Sequence, residues 1–129
     1  MRKGFTLVEL LTAIVILSLI VLLVYPMIMS VINDSRKSAY ESQISLVEKA
    51  AKKWGVENVS LLPSDCDGSY DITISNLISS GYISGRVING EEVIENPMKR
   101  GTGLEGFVRV TYECSGTGKK YVYKYMKSD

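Results

Sequence analysis

The first quarter of the chain is an almost unbroken run of apolar residues from position 5 to position 32. Its polar or helix-breaking interruptions are Thr6, Glu9, Thr12, Ser18, Tyr25, Pro26 and Ser30. The run is longer than the ~20 residues that an α-helix needs to cross a bilayer. The pattern therefore predicts a membrane-spanning helix over residues 5–32, too long for the apolar part of an ordinary secretory signal.

Past residue 32 the composition becomes polar, but one apolar stripe continues at intervals of three and four residues. Its members are Tyr40, Ile44, Val47, Ala51 and Trp54. This spacing keeps a single face of a helix apolar. We therefore predict that the helix continues over residues 33–54 and packs on a folded head through that stripe. Gly55 predicts the end of the helix, because glycine readily adopts the left-handed conformation of a helix cap.

Residues 55–129 alternate short periodic segments with turn residues, which is typical of a small folded head. Residues 71–81 predict a short helix that is closed by its final glycine. Residues 86–88 and 91–94 flank Asn89-Gly90, a dipeptide strongly favoured in two-residue hairpin turns. The first half of the head is thus predicted to contain one helix and one hairpin.

The end of the head shows the alternation of two β-strands. In residues 106–114 every second side chain from Val108 to Cys114 falls on one face, and residues 119–126 align three tyrosines. A Ser-Gly-Thr-Gly turn joins the two segments. The simplest consistent architecture is an α+β fold in which an antiparallel sheet of about four strands lies on the long helix.

The carboxylate of Glu9 lies near the start of the apolar run, where a charge needs a partner. A charged side chain costs about 2.5–3.5 kcal/mol at the centre of a membrane helix and less near an end. A basic leader, residues 1–3, precedes Gly4 and the segment Phe5-Thr6-Leu7-Val8-Glu9-Leu10-Leu11. This arrangement resembles the prepilin signal of the type IV pilin family, which includes the pseudopilins of type II secretion and the pilins of competence systems.

The resemblance implies how the amino terminus is processed and used. In the family a membrane peptidase cuts after the glycine, here Gly4, and methylates the new amino terminus, here Phe5. The glutamate at the position of Glu9 serves filament assembly, in which its carboxylate meets the ammonium of a neighbouring subunit, with Thr6 in the same network. Residues 1–4 are then a leader peptide. The implied partners are the prepilin peptidase, the membrane, further copies of the chain or other pilins, and the pilus assembly machinery.

Pro26 lies within the predicted membrane helix and matches a proline that is common in this helix of the family. Proline removes one helical hydrogen bond, and a membrane helix tolerates it when neighbouring groups satisfy the freed carbonyl. Two interpretations stay open. One is a kink without function, and the other is a weak point at which the helix bends or unwinds in a filament.

The head holds the two cysteines of the chain, Cys66 and Cys114. A head of about 75 residues has a small core that often needs a covalent staple. The basic leader favours a cytoplasmic amino terminus, which leaves the head outside the cytoplasm, where thiols oxidise. We therefore predict one disulfide bond between these cysteines, and two free thiols are the alternative.

Two weaker patterns suggest possible ligands of the head, namely Ca²⁺ and single-stranded nucleic acid. Asp65, Asp67 and Asp71 offer oxygen atoms that Ca²⁺ accepts, but Gly68 is misplaced for an EF-hand loop, so an acidic turn is the preferred interpretation. The tyrosines and lysines of residues 119–127 have the composition of a surface for single-stranded nucleic acid. Packing of the rings in the core is the commoner arrangement. We expect no metal and no nucleic acid partner.

Composition adds little about partners and argues against catalysis. The chain has 15 basic and 14 acidic residues and no histidine, and this balance speaks against general polyanion binding. It contains no phosphate-binding glycine loop, no zinc-ligand spacing and no nucleophile with an evident base. We expect neither a cofactor nor an enzymatic activity.

The leading functional hypothesis is a structural subunit of a type IV pilus-like filament. Such a subunit is a single-pass protein of the bacterial cytoplasmic membrane, with its amino terminus inside, before it enters a cell-surface filament. The alternatives are a pseudopilin of type II secretion or a competence pilin for DNA uptake. An alternative from another functional class is a membrane-anchored adhesin or binding module that does not polymerise. Glu9 favours the polymerising class, and Pro26 with the amphipathic extension favours a type IV pilin.

Overall fold

The computed structural model describes residues 4–116 and 118–128 of the chain. In chain order it contains α1 (Leu7–Glu57), a 3₁₀ helix (Val59–Leu61), β1 (Ser69–Thr73), α2 (Ile74–Ser79), β2 (Arg86–Ile88), β3 (Glu91–Val93), β4 (Phe107–Ser115) and β5 (Gly118–Met126). The chain divides into two compact units, residues 1–36 and residues 37–129. Helix α1 contributes its first part to one unit and its last part to the other.

The apolar part of α1 makes up the first unit. Among the described residues, α1 is the one helix long and apolar enough to cross a membrane, judged by length and composition. Its side chains are exposed throughout residues 7–28. The hydroxyls of Thr12 and Ser18 donate to the carbonyls of Val8 and Ile14, both at 2.8 Å. These two polar interruptions therefore carry no unsatisfied donor into an apolar environment.

The second unit, residues 37–129, is called the head unit below, and it is built on a three-stranded antiparallel sheet. The strand order is β1-β4-β5, with Ile72 opposite Val108 and Val110 opposite Tyr123. The last part of α1 packs on this sheet. The buried core consists of Val47, Ala50, Ala51, Trp54, Leu62, Ile72, Ile74, Leu77, Ile94, Leu104, Val108 and Val110. Three residues of the predicted apolar stripe, Val47, Ala51 and Trp54, lie in this core and Tyr40 packs against it, whereas Ile44 is only partly buried.

Strands β2 and β3 form a separate two-stranded hairpin, with Arg86 opposite Val93. Its turn residues Asn89 and Gly90 have φ angles of 53° and 83°. A type I′ turn needs this pair of left-handed conformations, which asparagine and glycine adopt most readily. The predicted hairpin is confirmed.

The α+β layout of a long helix on an antiparallel sheet is confirmed, but the strands divide into a sheet of three and a sheet of two. Strand β1 was not predicted, and it takes the first residues of the helix that was expected over residues 71–81. Helix α2 begins only at Ile74, capped by Thr73, whose hydroxyl accepts the N–H of Asn76 at 3.2 Å. Only Ile72 is buried in β1, so hydrophobic periodicity gives little strand signal there.

The prediction that Gly55 ends the helix was wrong. Helix α1 continues to Glu57, and Gly55 is buried within it. A Cβ atom at Gly55 would lie 2.9 Å from Cζ and 3.0 Å from Cε1 of Tyr123. Glycine is therefore needed here for the close approach of β5 to α1, and not for a left-handed cap.

Candidate functional site

Two reciprocal hydrogen bonds between Thr6 and Glu9 close the start of α1. Oγ1 of Thr6 accepts the N–H of Glu9 at 3.2 Å, and Oε2 of Glu9 accepts the N–H of Thr6 at 3.2 Å. This is a capping box, in which a threonine and a glutamate three residues later each satisfy a free backbone donor. The Thr-x-x-Glu spacing that signals a capping box is present in the sequence, inside the prepilin pattern.

The capping box gives Glu9 a partner within its own chain. It uses one carboxylate oxygen, and Glu9 is exposed, so the carboxylate can accept further hydrogen bonds. The carboxylate also lies at the positive end of the helix dipole. These contacts lower the cost of a charge in apolar surroundings without neutralising it. Glu9 is thus able to accept a second, cationic partner.

The peptide bond between Gly4 and Phe5 lies before the helix in non-helical backbone. Both residues are exposed, Phe5 to 89%, and no atom lies within 4 Å of the place that a Cβ at Gly4 would take. This bond is open to an enzyme. The basic leader, residues 1–3, lies outside the described residues.

Pro26 lies inside α1, and the helix is continuous on both sides of it. The free carbonyl that proline leaves in the preceding turn therefore does not end the helix. Its role as a kink without function or as a weak point in a filament stays a prediction.

Cys66 and Cys114 form a disulfide bond with 5.5 Å between their Cα atoms. The bond joins the loop before β1 to the end of β4. Backbone hydrogen bonds hold the same loop, since Asp67 N donates to Tyr112 O at 2.9 Å and Tyr112 N donates to Gly68 O at 3.0 Å. Within the described residues, no group of three or more His, Cys, Asp or Glu side chains is arranged to hold a metal ion.

Two exposed ion pairs fix acidic side chains of the head unit. Asp71 accepts two hydrogen bonds from the guanidinium of Arg109, at 2.8 and 3.1 Å, and this contact raises the pKa of Arg109. Arg86 donates to Glu95 at 2.9 Å. That hydrogen bond, together with one from the N–H of Gly101, lowers the pKa of Glu95. Asp71, a calcium candidate in the sequence, is thus a partner of Arg109.

The tyrosines of β5 lie on the side of the sheet that faces α1 and are engaged in contacts within the head unit. Tyr121 contacts the ring of Tyr112, with 4.9 Å between centroids, and donates to the carbonyl of Pro63 at 3.2 Å. Tyr125 donates its hydroxyl to a backbone carbonyl. Burial, with Tyr40 beside it, raises the pKa of Tyr125 to about 12. Rings held in this way favour core packing over the stacking of nucleic acid bases.

Glu48 has a role that no pattern in the sequence indicates. Its Oε1 accepts the backbone N–H of Tyr125 at 2.9 Å, across 77 positions of the chain. Strand β5 is at the edge of the sheet, where backbone donors lack a neighbouring strand. Glu48 therefore satisfies one donor of the free edge from the adjacent helix.

Residues 1–25 match the family model described as the prokaryotic N-terminal methylation motif. This motif is the prepilin signal of type IV pilins and pseudopilins, and it contains Gly4, Phe5 and Glu9. A search of curated proteins and a search of solved structures give no significant match. The chain therefore carries a type IV pilin-like prepilin signal. That signal points to a structural protein, and with the apolar helix it fits membrane anchoring followed by entry into a surface filament.

Proposed function

We propose that this protein is a structural subunit of a type IV pilus-like filament, cleaved after Gly4, methylated at Phe5 and polymerised through α1. One arrangement carries the proposal. An exposed, non-helical Gly4–Phe5 bond is followed directly by the Thr6–Glu9 capping box at the start of an unburied apolar helix. The methylation motif over residues 1–25 supports the same assignment.

Cleavage after Gly4 creates a positive charge close to a carboxylate. The new amino terminus at Phe5 is an ammonium, and methylation of an amine keeps its charge. Phe5 precedes Thr6 by one position, and the N–H of Thr6 already donates to Glu9. When an ammonium of an adjacent subunit reaches the Glu9 carboxylate, the contact offsets the desolvation of both charges. It also sets the axial register of the incoming helix.

The exposed aliphatic surface of α1 provides contact area for lipid or for neighbouring helices, but it selects little between them. Lipid covers it before assembly, and the helices of neighbouring subunits cover it in the filament. Transfer from lipid to a helix–helix contact brings no large hydrophobic gain, because lipid tails are as apolar as leucine. The polar pair at Glu9 therefore contributes the specificity that the aliphatic surface lacks.

The disulfide supports a location of the head unit outside the cytoplasm, since such bonds persist in oxidising compartments. We infer a single-pass topology with the amino terminus in the cytoplasm, and a purely structural role without catalysis. A pseudopilin or a competence pilin would share the processing and α1. A membrane-anchored binding module that does not polymerise would share the anchor alone.

Intact mass and amino-terminal sequence, measured on sheared surface material and on membranes, test the proposal. The sheared fraction is expected to contain a chain that begins at methylated Phe5. A chain found in membranes alone, with Met1 still present, would contradict both the processing and the assembly.

A pair of variants tests the role of the Glu9 charge. Glu9→Gln keeps an oxygen that accepts the N–H of Thr6 but removes the charge. We expect this variant to be processed and membrane-bound yet depleted from sheared filaments. Glu41→Gln, at an exposed position of the same helix, is the matched control and is expected to assemble like the wild type. Equal assembly of the two variants would exclude a role of the charge.

A further inference from the structure

A groove of about 380 Å³ runs between α1 and β5 in the head unit. Its lining includes Lys49 and Lys52 from α1, and Lys120, Tyr121 and Tyr123 from β5. These five residues are called the lysine groove below. Because both elements contribute lysines, positive charge is present along the groove on each side.

The acidic residue of the groove lining, Glu48, accepts the backbone N–H of Tyr125 and keeps its charge, so three lysines and one carboxylate leave the groove net positive. Every second residue of a strand directs its N–H and C=O to the same edge. The backbone groups of Tyr121 and Tyr123 therefore point to the edge of β5 that Tyr125 uses. Neither ion pair of the described residues, Arg86–Glu95 or Arg109–Asp71, involves a lysine of the groove. The groove thus offers positive charge and backbone hydrogen-bonding groups.

The other flank of α1 faces a different part of the head unit. Leu46, Lys49 and Lys53 line a depression there, together with residues 82–84, so Lys49 borders both surfaces. Side chains at consecutive helix positions point about 100° apart around the helix axis, which explains why Lys52 and Lys53 lie on different flanks of α1. From residue 84 the chain continues almost directly into β2, so the β2–β3 hairpin begins on this second flank.

The β2–β3 hairpin carries two exposed carboxylates, those of Glu91 and Glu92, and is called the acidic hairpin below. Glu92 accepts the N–H of Gly85 at 2.9 Å, which positions the side chain without adding a cation. Val87, opposite Glu92, is 68% exposed. The hairpin therefore combines negative charge with a small apolar contact.

We propose that the lysine groove of one head unit binds the acidic hairpin of a second copy of this chain. The inference rests on the proposed function, because a filament is what brings the heads together. The two surfaces carry opposite charges and share no residue, so one copy can offer its groove to one neighbour and its hairpin to the other. Such a head-to-tail contact does not close on itself and continues as a helical array.

The groove fits a second copy better than it fits nucleic acid. Single strands bind where aromatic rings are free to stack on bases, whereas Tyr121 and Tyr123 are partly buried against the core. The chain as a whole is nearly neutral, with 15 basic and 14 acidic residues. The acidic hairpin supplies the complementary charge within the same molecule.

Charge reversal in the full-length protein tests the contact. Lys52→Glu with Lys120→Glu, or Glu91→Lys with Glu92→Lys, is expected to lower the yield of sheared filaments roughly tenfold, because like charges then face each other. All four changes together are expected to restore the yield. Lys37→Glu with Lys124→Glu is the matched control, since it makes the same charge change at exposed positions of the same two elements outside both surfaces. It is expected to assemble like the wild type.

Two measurements keep the test independent of folding defects. Trp54 fluorescence of each variant in detergent, with the mass of the oxidised chain, reports the fold and the disulfide. In wild-type filaments, a carbodiimide crosslink between a groove lysine and Glu91 or Glu92 is expected by mass spectrometry, and it is expected to be absent from the detergent-solubilised monomer. This second result does not depend on any variant.

The outcomes separate this inference from the proposed function. Normal filaments of Lys52→Glu with Lys120→Glu, or folded variants whose combination does not recover, would overturn the contact while the filament role stands. Absence of wild-type protein from sheared material would overturn both. Normal filament yield, combined with lysine-dependent retention on single-stranded DNA at physiological salt, would assign the groove to nucleic acid instead.

Discussion

Substitution of Gly55 by alanine tests how closely α1 and β5 approach each other. In an exposed helix this change stabilises by about 1 kcal/mol, because alanine has the higher helix propensity. At Gly55 the new methyl group would lie 2.9 Å from Cζ and 3.0 Å from Cε1 of Tyr123, with the hydroxyl oxygen nearer still. These atoms belong to a rigid ring opposite the buried Val110. Relief of the clash therefore requires the ring to turn about its side-chain torsions or to shift with its strand.

Overpacking of this kind costs about 1–3 kcal/mol, and contact with several atoms of a rigid ring places Gly55→Ala toward the upper end. After subtraction of the propensity gain, the head unit is expected to lose about 1–2 kcal/mol of its free energy of unfolding. Tyr123→Phe removes the atom nearest to the new methyl group. In the double variant it is expected to recover about 0.5–1 kcal/mol through coupling of the two positions.

Urea denaturation of the full-length protein in a mild non-ionic detergent, followed by Trp54 fluorescence, measures this change. Trp54 is the only tryptophan of the chain, is 4% exposed and stacks on Tyr70 with 5.6 Å between ring centroids. The midpoint of Gly55→Ala is expected to fall by about 1 M urea, and Tyr123→Phe alone is the control. A midpoint at or above that of the wild type would refute the close approach, as would the absence of any recovery in the double variant.

Three further predictions concern the disulfide, Tyr125 and the capping box. Reduction of the Cys66–Cys114 bond, whose ends are 48 positions apart, is expected to lower the free energy of unfolding of the head unit by about 4 kcal/mol in the chain-entropy model. Urea denaturation with and without reductant measures this loss, and an unchanged midpoint would contradict the prediction. The fold raises the pKa of Tyr125 from 10.0 to about 12, so the head unit keeps the full contribution of neutral Tyr125 to its stability below pH 10.0 and loses it as the pH rises through about 12. Tyr125→Phe is expected to weaken this loss of stability at alkaline pH. A pH profile of stability identical to that of the wild type would exclude Tyr125 as its source. Thr6→Val is expected to weaken the first turn of α1 by about 1 kcal/mol and to speed the hydrogen exchange of its amides about fivefold. Thr6→Ser retains the cap and is the control. Equal rates of hydrogen exchange in the two variants would refute the capping box.

The amino-terminal region could be predicted because its signals are local. The apolar run, the basic leader and the spacing from Gly4 to Glu9 lie in consecutive residues, and each acts without reference to a distant part of the chain. The turn at Asn89-Gly90 could be predicted for the same reason, since these two residues themselves favour the positive φ angles that the hairpin needs.

The errors arose where a distant residue decides the structure. Strand β1 exists because it pairs with β4, and Asp71 meets Arg109 from 38 positions away. In the sequence Gly55 indicates the end of a helix, and only the contact with Tyr123 in the folded chain shows why glycine is needed there. The contact of Glu48 with the edge of β5 spans 77 positions, and neither end of it carries a recognisable motif.

Hydrophobicity and backbone preference act over a few residues, so composition and spacing were sufficient to predict the membrane helix, its processing motif and the tight turn. Contacts between distant residues form only when folding has offset the entropy of closing the intervening loops, and local sequence does not encode which of them prevail. The charge distribution of the head unit illustrates this difference. The sequence shows a nearly neutral chain, whereas the fold gathers lysines into a groove between α1 and β5 and exposes two carboxylates on the β2–β3 hairpin.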